Sequence, residues 1–213
     1  MKNLLINDTH TQDSQAAVTP ELALQLLKEG NQRFLDKTTL DRSFDKQIEL
    51  TSGGQYPFAA IVSCIDSRIP TEIVFDQGIG DVFNARIAGN FVNQDILGSL
   101  EFACKLAGSK LIVIMGHTSC GAVKGACDHA ELGNLTAMLD NIAPALNEVK
   151  TAEGVDRSSK NIDFVNEVAV QNVHLTISRL KADSPVLNEM IDNGEIHVVG
   201  AMYDVASGKV SFI

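Results

Sequence analysis

Two kinds of apolar pattern alternate along the chain. One is the short unbroken run: Pro57 to Ser63 and Leu111 to Met115 carry hardly a polar residue. A run with no polar face suits a strand covered on both sides. Asp81 to Ile87 reads as another strand, ended by the turn Ala88-Gly89-Asn90. Glu195 to Tyr203 and Lys209 to Ile213 read as the last two, joined by a turn around Ser207-Gly208. The second kind of pattern is helical. It covers Ile96 to Leu106 (closed by Gly108), Cys120 to about Ala130, Leu135 to Lys150 with a kink at Pro144, and Asn161 to Ala182. A short helix opened by Ser184-Pro185 follows. Strands alternating with helices predict an α/β fold, with a mainly parallel β-sheet flanked by helices.

The first helix has a clear start. Thr19 can cap it, Pro20 suits the first helical position, and Glu21 favours the positive end of the dipole. Leu22, Leu26, Leu27 and Phe34 give it an apolar stripe to about Leu35, with Gly30 as a soft spot. Residues 1–18 ahead of it are polar apart from Leu4-Leu5-Ile6 and read as a flexible lead. Residues 19–213 show no repeat and no linker, so they read as one domain.

Composition narrows the function. The chain has 213 residues, 45% apolar and 21% charged, enough to bury a sizeable core. Its 17 Lys+Arg against 27 Asp+Glu leave a formal charge of −10. That balance argues against nucleic acid and anionic membranes as partners. No apolar run approaches the ~18 residues of a membrane span. The N-terminus lacks the apolar core of a signal peptide, so a cytoplasmic protein is expected. Four cysteines are too few for a disulfide scaffold and read better as core, metal or catalytic thiols.

Cys64 follows the first buried strand, and His117 and Cys120 follow the third. Open parallel sheets form their sites at the carboxyl ends of strands. Two strand ends thus bring two thiols and an imidazole to one edge. This is a suitable zinc ligand set that leaves a fourth position open. On ligand types alone, the commoner reading is that Cys64 and Cys120 are small buried hydrophobes and His117 a hydrogen-bonded loop residue; the neighbouring residues favour the metal. Asp66 and Arg68 stand beside the first thiol. They read either as a surface ion pair or as a fork-shaped guanidinium orienting one carboxylate. Zinc with two thiolates and a neutral imidazole is formally neutral. A carboxylate added as fourth ligand would displace water, so an Arg68 that competes for Asp66 keeps that position open.

Cys64-x-Asp66-x-Arg68 together with Gly116-His117-Thr118-Ser119-Cys120-Gly121 resembles the β-class carbonic anhydrases. The segments Pro20 to Phe34 and Val82 to Asn90 are similar to further stretches of that family. The resemblance implies a parallel sheet with one antiparallel edge strand, and a dimerisation arm of residues 19–35 packed on a partner. It implies one Zn²⁺ per chain on Cys64, His117 and Cys120, with Asp66 a fourth ligand only in a closed state. It implies a homo-oligomer, either a dimer or a dimer of dimers, with the site near an interface. The reaction implied is CO₂ + H₂O ⇌ HCO₃⁻ + H⁺, through zinc-bound hydroxide oriented by Asp66, with Arg68 orienting Asp66. Gln55, Phe83 and Ala88 match substrate-site positions of the plant-like branch, although Phe83 alone reads equally as core. That branch's tyrosine beyond Asn90 has no counterpart in Asn93-Gln94-Asp95-Ile96. The chain has no Trp, so the separate inhibitory bicarbonate pocket of other bacterial members cannot form in the same way.

Some relatives hydrolyse carbonyl sulfide or carbon disulfide with the same ligands, which gives one alternative. A non-catalytic bicarbonate- or zinc-binding module is another, weakened by the Asp66–Arg68 pair. A thiol redox role is weakened by the lack of CxxC. Cys104 and Cys127 read as core. His10, His129, His174 and His197 have no partners legible in sequence.

Overall fold

The structure, a computed structural model, describes residues 8–213. In chain order the elements are α1 (Gln12–Ala16), α2 (Pro20–Asp36), α3 (Phe44–Thr51), β1 (Ala59–Ser63), α4 (Thr71–Val74), β2 (Val82–Arg86), α5 (Gln94–Glu101) running into a π-helical turn (Phe102–Leu106), β3 (Leu111–His117), α6 (Gly121–Cys127), α7 (Gly133–Leu139), α8 (Ala143–Glu148), α9 (Ile162–Asp183), α10 (Pro185–Asp192), β4 (His197–Tyr203) and β5 (Val210–Phe212). The sheet runs β2-β1-β3-β4-β5. Every pairing is parallel except β4 with β5, the one antiparallel edge.

The unbroken apolar runs become the two inner strands. Every residue of β1 and β3 is buried. Alternate residues serve opposite faces, as the strand period of two requires. Ala59 and Ile61 join one core with Leu27, Phe75 and Phe164, while Ala60 and Val62 join a second with Leu97, Leu187 and Ile196. From β1 the chain steps to β2 on one side and to β3 on the other. The carboxyl ends of β1 and β3 therefore flank the switch in strand order, where open sheets form a crevice.

Helix α2 starts as its sequence predicts, with Thr19 Oγ1 accepting from Leu22 N at 3.2 Å. Part of its stripe is used within the chain. Ala23, Leu26 and Leu27 are buried within their own chain. Asn31 Nδ2 donates to Val74 O and Gly208 O, each at 3.0 Å, and Asn31 Oδ1 accepts from Val210 N at 2.9 Å. Gly30 is the point of closest approach, where a Cβ would stand 1.8 Å from Phe75 O. The helix is thus seated on α4 and β5 of its own chain.

From residue 8 onward, the segment read as a flexible lead holds a short helix; residues 1–7 lie outside the described residues. Thr11 caps α1, and buried Gln15 donates Nε2 to Pro57 O at 2.7 Å and Ala107 O at 2.8 Å. Those carbonyls border the starts of β1 and β3, and one side-chain amide satisfies both. The helix expected over 135–150 is two helices. Pro144, which needs no N–H partner in a first turn, starts α8 instead of kinking a longer helix. Helices α3 and α4 carry no signal the sequence reading caught. Among the described residues, no helix is long and apolar enough to cross a membrane.

Candidate metal centre

Cys64 leaves the carboxyl end of β1, His117 is the last residue of β3, and Cys120 is the N-cap of α6. Ser119 takes a left-handed backbone (φ 56°), which lets the chain reverse between the second and third of these. Its N–H donates to Asn166 Oδ1 on α9 at 2.9 Å. All three side chains are buried, and their ligand atoms lie within 4.8 Å of one another.

The histidine shows what the cluster lacks. His117 Nδ1 lies 3.0 Å from Thr118 O, which accepts its proton. That leaves the lone pair of Nε2 facing the thiols. Nε2 is fully buried and has no hydrogen-bond partner. An unmet buried acceptor costs about 1–3 kcal/mol. The two sulfurs are 4.0 Å apart. A tetrahedral zinc with bonds of about 2.3 Å would hold them ~3.8 Å apart. The set therefore fits zinc in donor type, number and spacing.

Without a cation the two thiols compete for charge. The hydrogen bond from Cys120 holds the Cys64 thiol well below its ordinary range, helped by Gly89 N at 3.4 Å. The same bond, with burial, pushes Cys120 up. A divalent cation stabilises both thiolates and removes that conflict.

Asp66 lies beside the cluster, with Oδ2 at 3.9 Å from His117 Nε2. Arg68 grips it through Nε to Oδ1 at 2.9 Å and Nη2 to Oδ2 at 2.7 Å, and Arg68 N adds a bond to Oδ1 at 3.0 Å. These bonds hold the Asp66 carboxyl far below the usual carboxylate range, against an opposing push from burial. Arg86, at the end of β2, braces the same loop. Its Nε donates to Cys64 O at 2.9 Å and its Nη2 to Asp66 O at 2.6 Å. No spacing in the sequence marks Arg86 or Asn166 as parts of this site. The chain position of an Asn or Arg does not show which backbone group it reaches.

Ala88 joins Ile65, Asp66, Ala122, Leu135 and Met138 around a 260 Å³ cavity against Cys64, mostly apolar in lining. Gln55 and Phe83 are elsewhere in the chain. Gln55 is exposed ahead of the amino end of β1, a strand's length (~17 Å) from the carboxyl end that carries Cys64. Phe83 pairs with Ala60 near the start of β1 and faces Phe102 edge-on at 6.1 Å in a separate 530 Å³ cavity. One chain thus gathers Cys64, His117, Cys120, Asp66, Arg68 and Ala88, and leaves the other two apart. Cys104 and Cys127 are buried free thiols, pushed up by burial to about 12 and about 11.

Fold and site together define an α/β protein whose adjacent strand ends converge a Cys, His and Cys ligand set beside an arginine-held aspartate. The family model described as carbonic anhydrase matches residues 59–210. Carbonic anhydrase 2 of Mycobacterium tuberculosis is 36% identical over 197 residues, covering 89% of this chain and 91% of its own length. Among solved structures, the β-carbonic anhydrase CafA of Aspergillus fumigatus superposes with a TM-score of 0.68 at 26% identity, covering 91% of this chain and 89% of that one. A tetrameric β-carbonic anhydrase of Sordaria macrospora superposes with a TM-score of 0.68 at 24% identity, covering 78% of this chain and 85% of that one. The chain belongs to the β class of the carbonic anhydrase family and is an enzyme of that class.

Proposed function

We propose that the chain catalyses the reversible hydration of carbon dioxide to bicarbonate and a proton, with one zinc ion held by Cys64, His117 and Cys120. The observation that carries this reading is the buried, unpartnered His117 Nε2 facing two thiols beside a bidentate Asp66–Arg68 pair. Held by these three residues, a zinc ion would supply the Lewis acidity that activates water. Asp66, kept ionised and fixed by Arg68, accepts the hydrogen bond that orients the attacking oxygen. Arg68 also keeps the carboxylate from occupying the open position itself. The apolar wall formed by Ala88, Ala122, Leu135 and Met138 suits a small nonpolar substrate and excludes bulk water.

The enzyme acts as a homo-oligomer in this reading. Among the described residues, strand β2 is an edge of the sheet, and Phe102, against Phe83 of that strand, is 50% exposed. A second copy covering that edge would bring its own Gln55 and Phe83 towards this chain's metal site, which neither residue reaches within its own chain. Stopped-flow CO₂ hydration with zinc quantification tests the proposal, with carbonyl sulfide and carbon disulfide assayed alongside. About one zinc per chain with CO₂ as the preferred substrate is the expected result. A zinc-free chain, or turnover confined to the sulfur compounds, would refute it.

A further inference from the structure

The turn from Ile87 to Asn90 sets the surroundings of the first cysteine. Asn90 N donates to Ile87 O at 2.9 Å, and Gly89, third in the turn, has φ 84°. A positive φ at that position is the mark of a type II turn. In such a turn the central peptide is turned over relative to type I, so the direction of the Gly89 N–H depends on the turn type. Here the N–H points at Cys64 Sγ, 3.4 Å away. The turn is held from two sides. A Cβ on Gly89 would stand 2.5 Å from Ile142 Cδ1. Opposite, Gly89 O accepts from Asn172 Nδ2 at 2.7 Å, and Asn172 is 2% exposed in the middle of α9.

We propose that Asn172 is a positioning residue for the metal centre. By holding the Gly89 carbonyl it anchors the third residue of the turn, and so keeps the turn, whose central peptide carries the Gly89 N–H, seated against the Cys64 sulfur. The inference rests on the zinc reading above. Glycine brings little conformational restraint of its own, so the place of the turn depends on what its backbone is bonded to. An N–H bonded to a thiolate draws charge from sulfur and weakens it as a donor, and a metal on that sulfur is then the stronger Lewis acid. Asn172 thus acts on Cys64 through one residue, from a helix that supplies no ligand.

Cobalt(II) substitution gives a readout that a purely structural role would not move. The sulfur-to-cobalt charge-transfer band reports donor strength. Asn172→Ala and Asn172→Leu remove the donor, the second while filling its volume. Both should move the band to lower energy, because a sulfur without the N–H bond is the stronger donor. Leu180→Ala, fully buried on the same helix away from the ligands, should lower thermal stability and leave the band in place. Asn172→Ser is the milder variant should the first two not fold, and should shift the band the same way. A wild-type band in the folded Asn172 variants would overturn the proposal, as would an equal shift in Leu180→Ala. A wild-type chain that takes up no cobalt, or whose band survives Cys64→Ser, would instead refute the zinc reading itself.

Discussion

Arg68 and Asp66 meet as two parallel hydrogen bonds, at 2.9 and 2.7 Å, from a half-exposed guanidinium to a carboxylate that is nearly covered. The fork fixes both carboxylate oxygens, so Asp66 can present only one edge to whatever sits at the neighbouring ligands. Asp66→Asn keeps the size of the side chain and loses its pure acceptor character. It should retain zinc and lose activity by about 10²-fold or more. Parallel metal content and stopped-flow rates check this; wild-type turnover in the variant would exclude the role.

The same pair gives a stability signature with a definite sign. Asp66's folded pKa is depressed by Arg68. Its contribution is therefore complete above the unfolded value of about 3.9 and is lost as pH falls through the folded one. Arg68→Ala should melt below wild type at pH 6, and the gap should narrow as the pH is taken below about 4. A gap that stays constant down to pH 3 would mean that the pair contributes nothing through charge.

Removal of any one ligand should abolish the centre. Cys64→Ser, His117→Ala and Cys120→Ser are each expected to lose zinc and activity together. Dialysis of wild type against a chelator should do the same reversibly. Atomic absorption alongside the rate assay checks it, and full zinc with full activity in any one variant would contradict the ligand assignment.

Charge counting sets the direction of the pH–rate profile. Two thiolates and a neutral imidazole leave zinc formally neutral, a weaker Lewis acid than zinc on three histidines, whose water has a pKa near ~7. CO₂ hydration should therefore rise from pH 7 into the alkaline range. A profile already flat at pH 7 would mean that the thiolates are less donating than this count allows.

Asn166 holds the His117–Cys120 reversal through Ser119 N. Asn166→Ala should leave the fold intact and weaken zinc about 10-fold or more, as loss of an outer partner does elsewhere. Competition with a chromophoric chelator measures it. Unchanged affinity would show that the left-handed Ser119 holds its conformation unaided.

Gly30→Ala puts two effects against each other. Alanine gains about 1 kcal/mol in helix propensity. Its Cβ would stand 1.8 Å from Phe75 O, however, which forces α2 off α4. Overpacking of this kind costs about 1–3 kcal/mol or more, so the variant should melt lower than wild type. A higher melting temperature would show that α2 is free to move away.

The inner strands and the start of α2 were legible because each rests on one local rule: unbroken apolarity in Leu111 to Met115, or Thr19-Pro20 before a stripe. The ligand set was legible because its chemistry is local to two short motifs. Gln15, Asn31 and Asn172 were not legible, because each serves a carbonyl more than 40 positions away and a buried amide carries no spacing signature. Gly30 was read as a weak point because propensity is a local quantity, whereas its use here is contact with Phe75. Gln55 and Phe83 are matched to substrate positions through the family resemblance, and strand direction puts them near the other end of β1 within one chain.

The ligand-bearing strands β1 and β3 are neighbours in the interior of the sheet, buried along their whole length. Amides in such strands exchange their hydrogens only when the molecule opens as a whole, whereas rim loops open locally. The proposed metal ligands are anchored in the region expected to open last. Heating should therefore not loosen the centre by degrees: loss of zinc and loss of fold should come as one cooperative event, and a population of partly denatured enzyme should be a mixture of fully competent and fully inactive molecules.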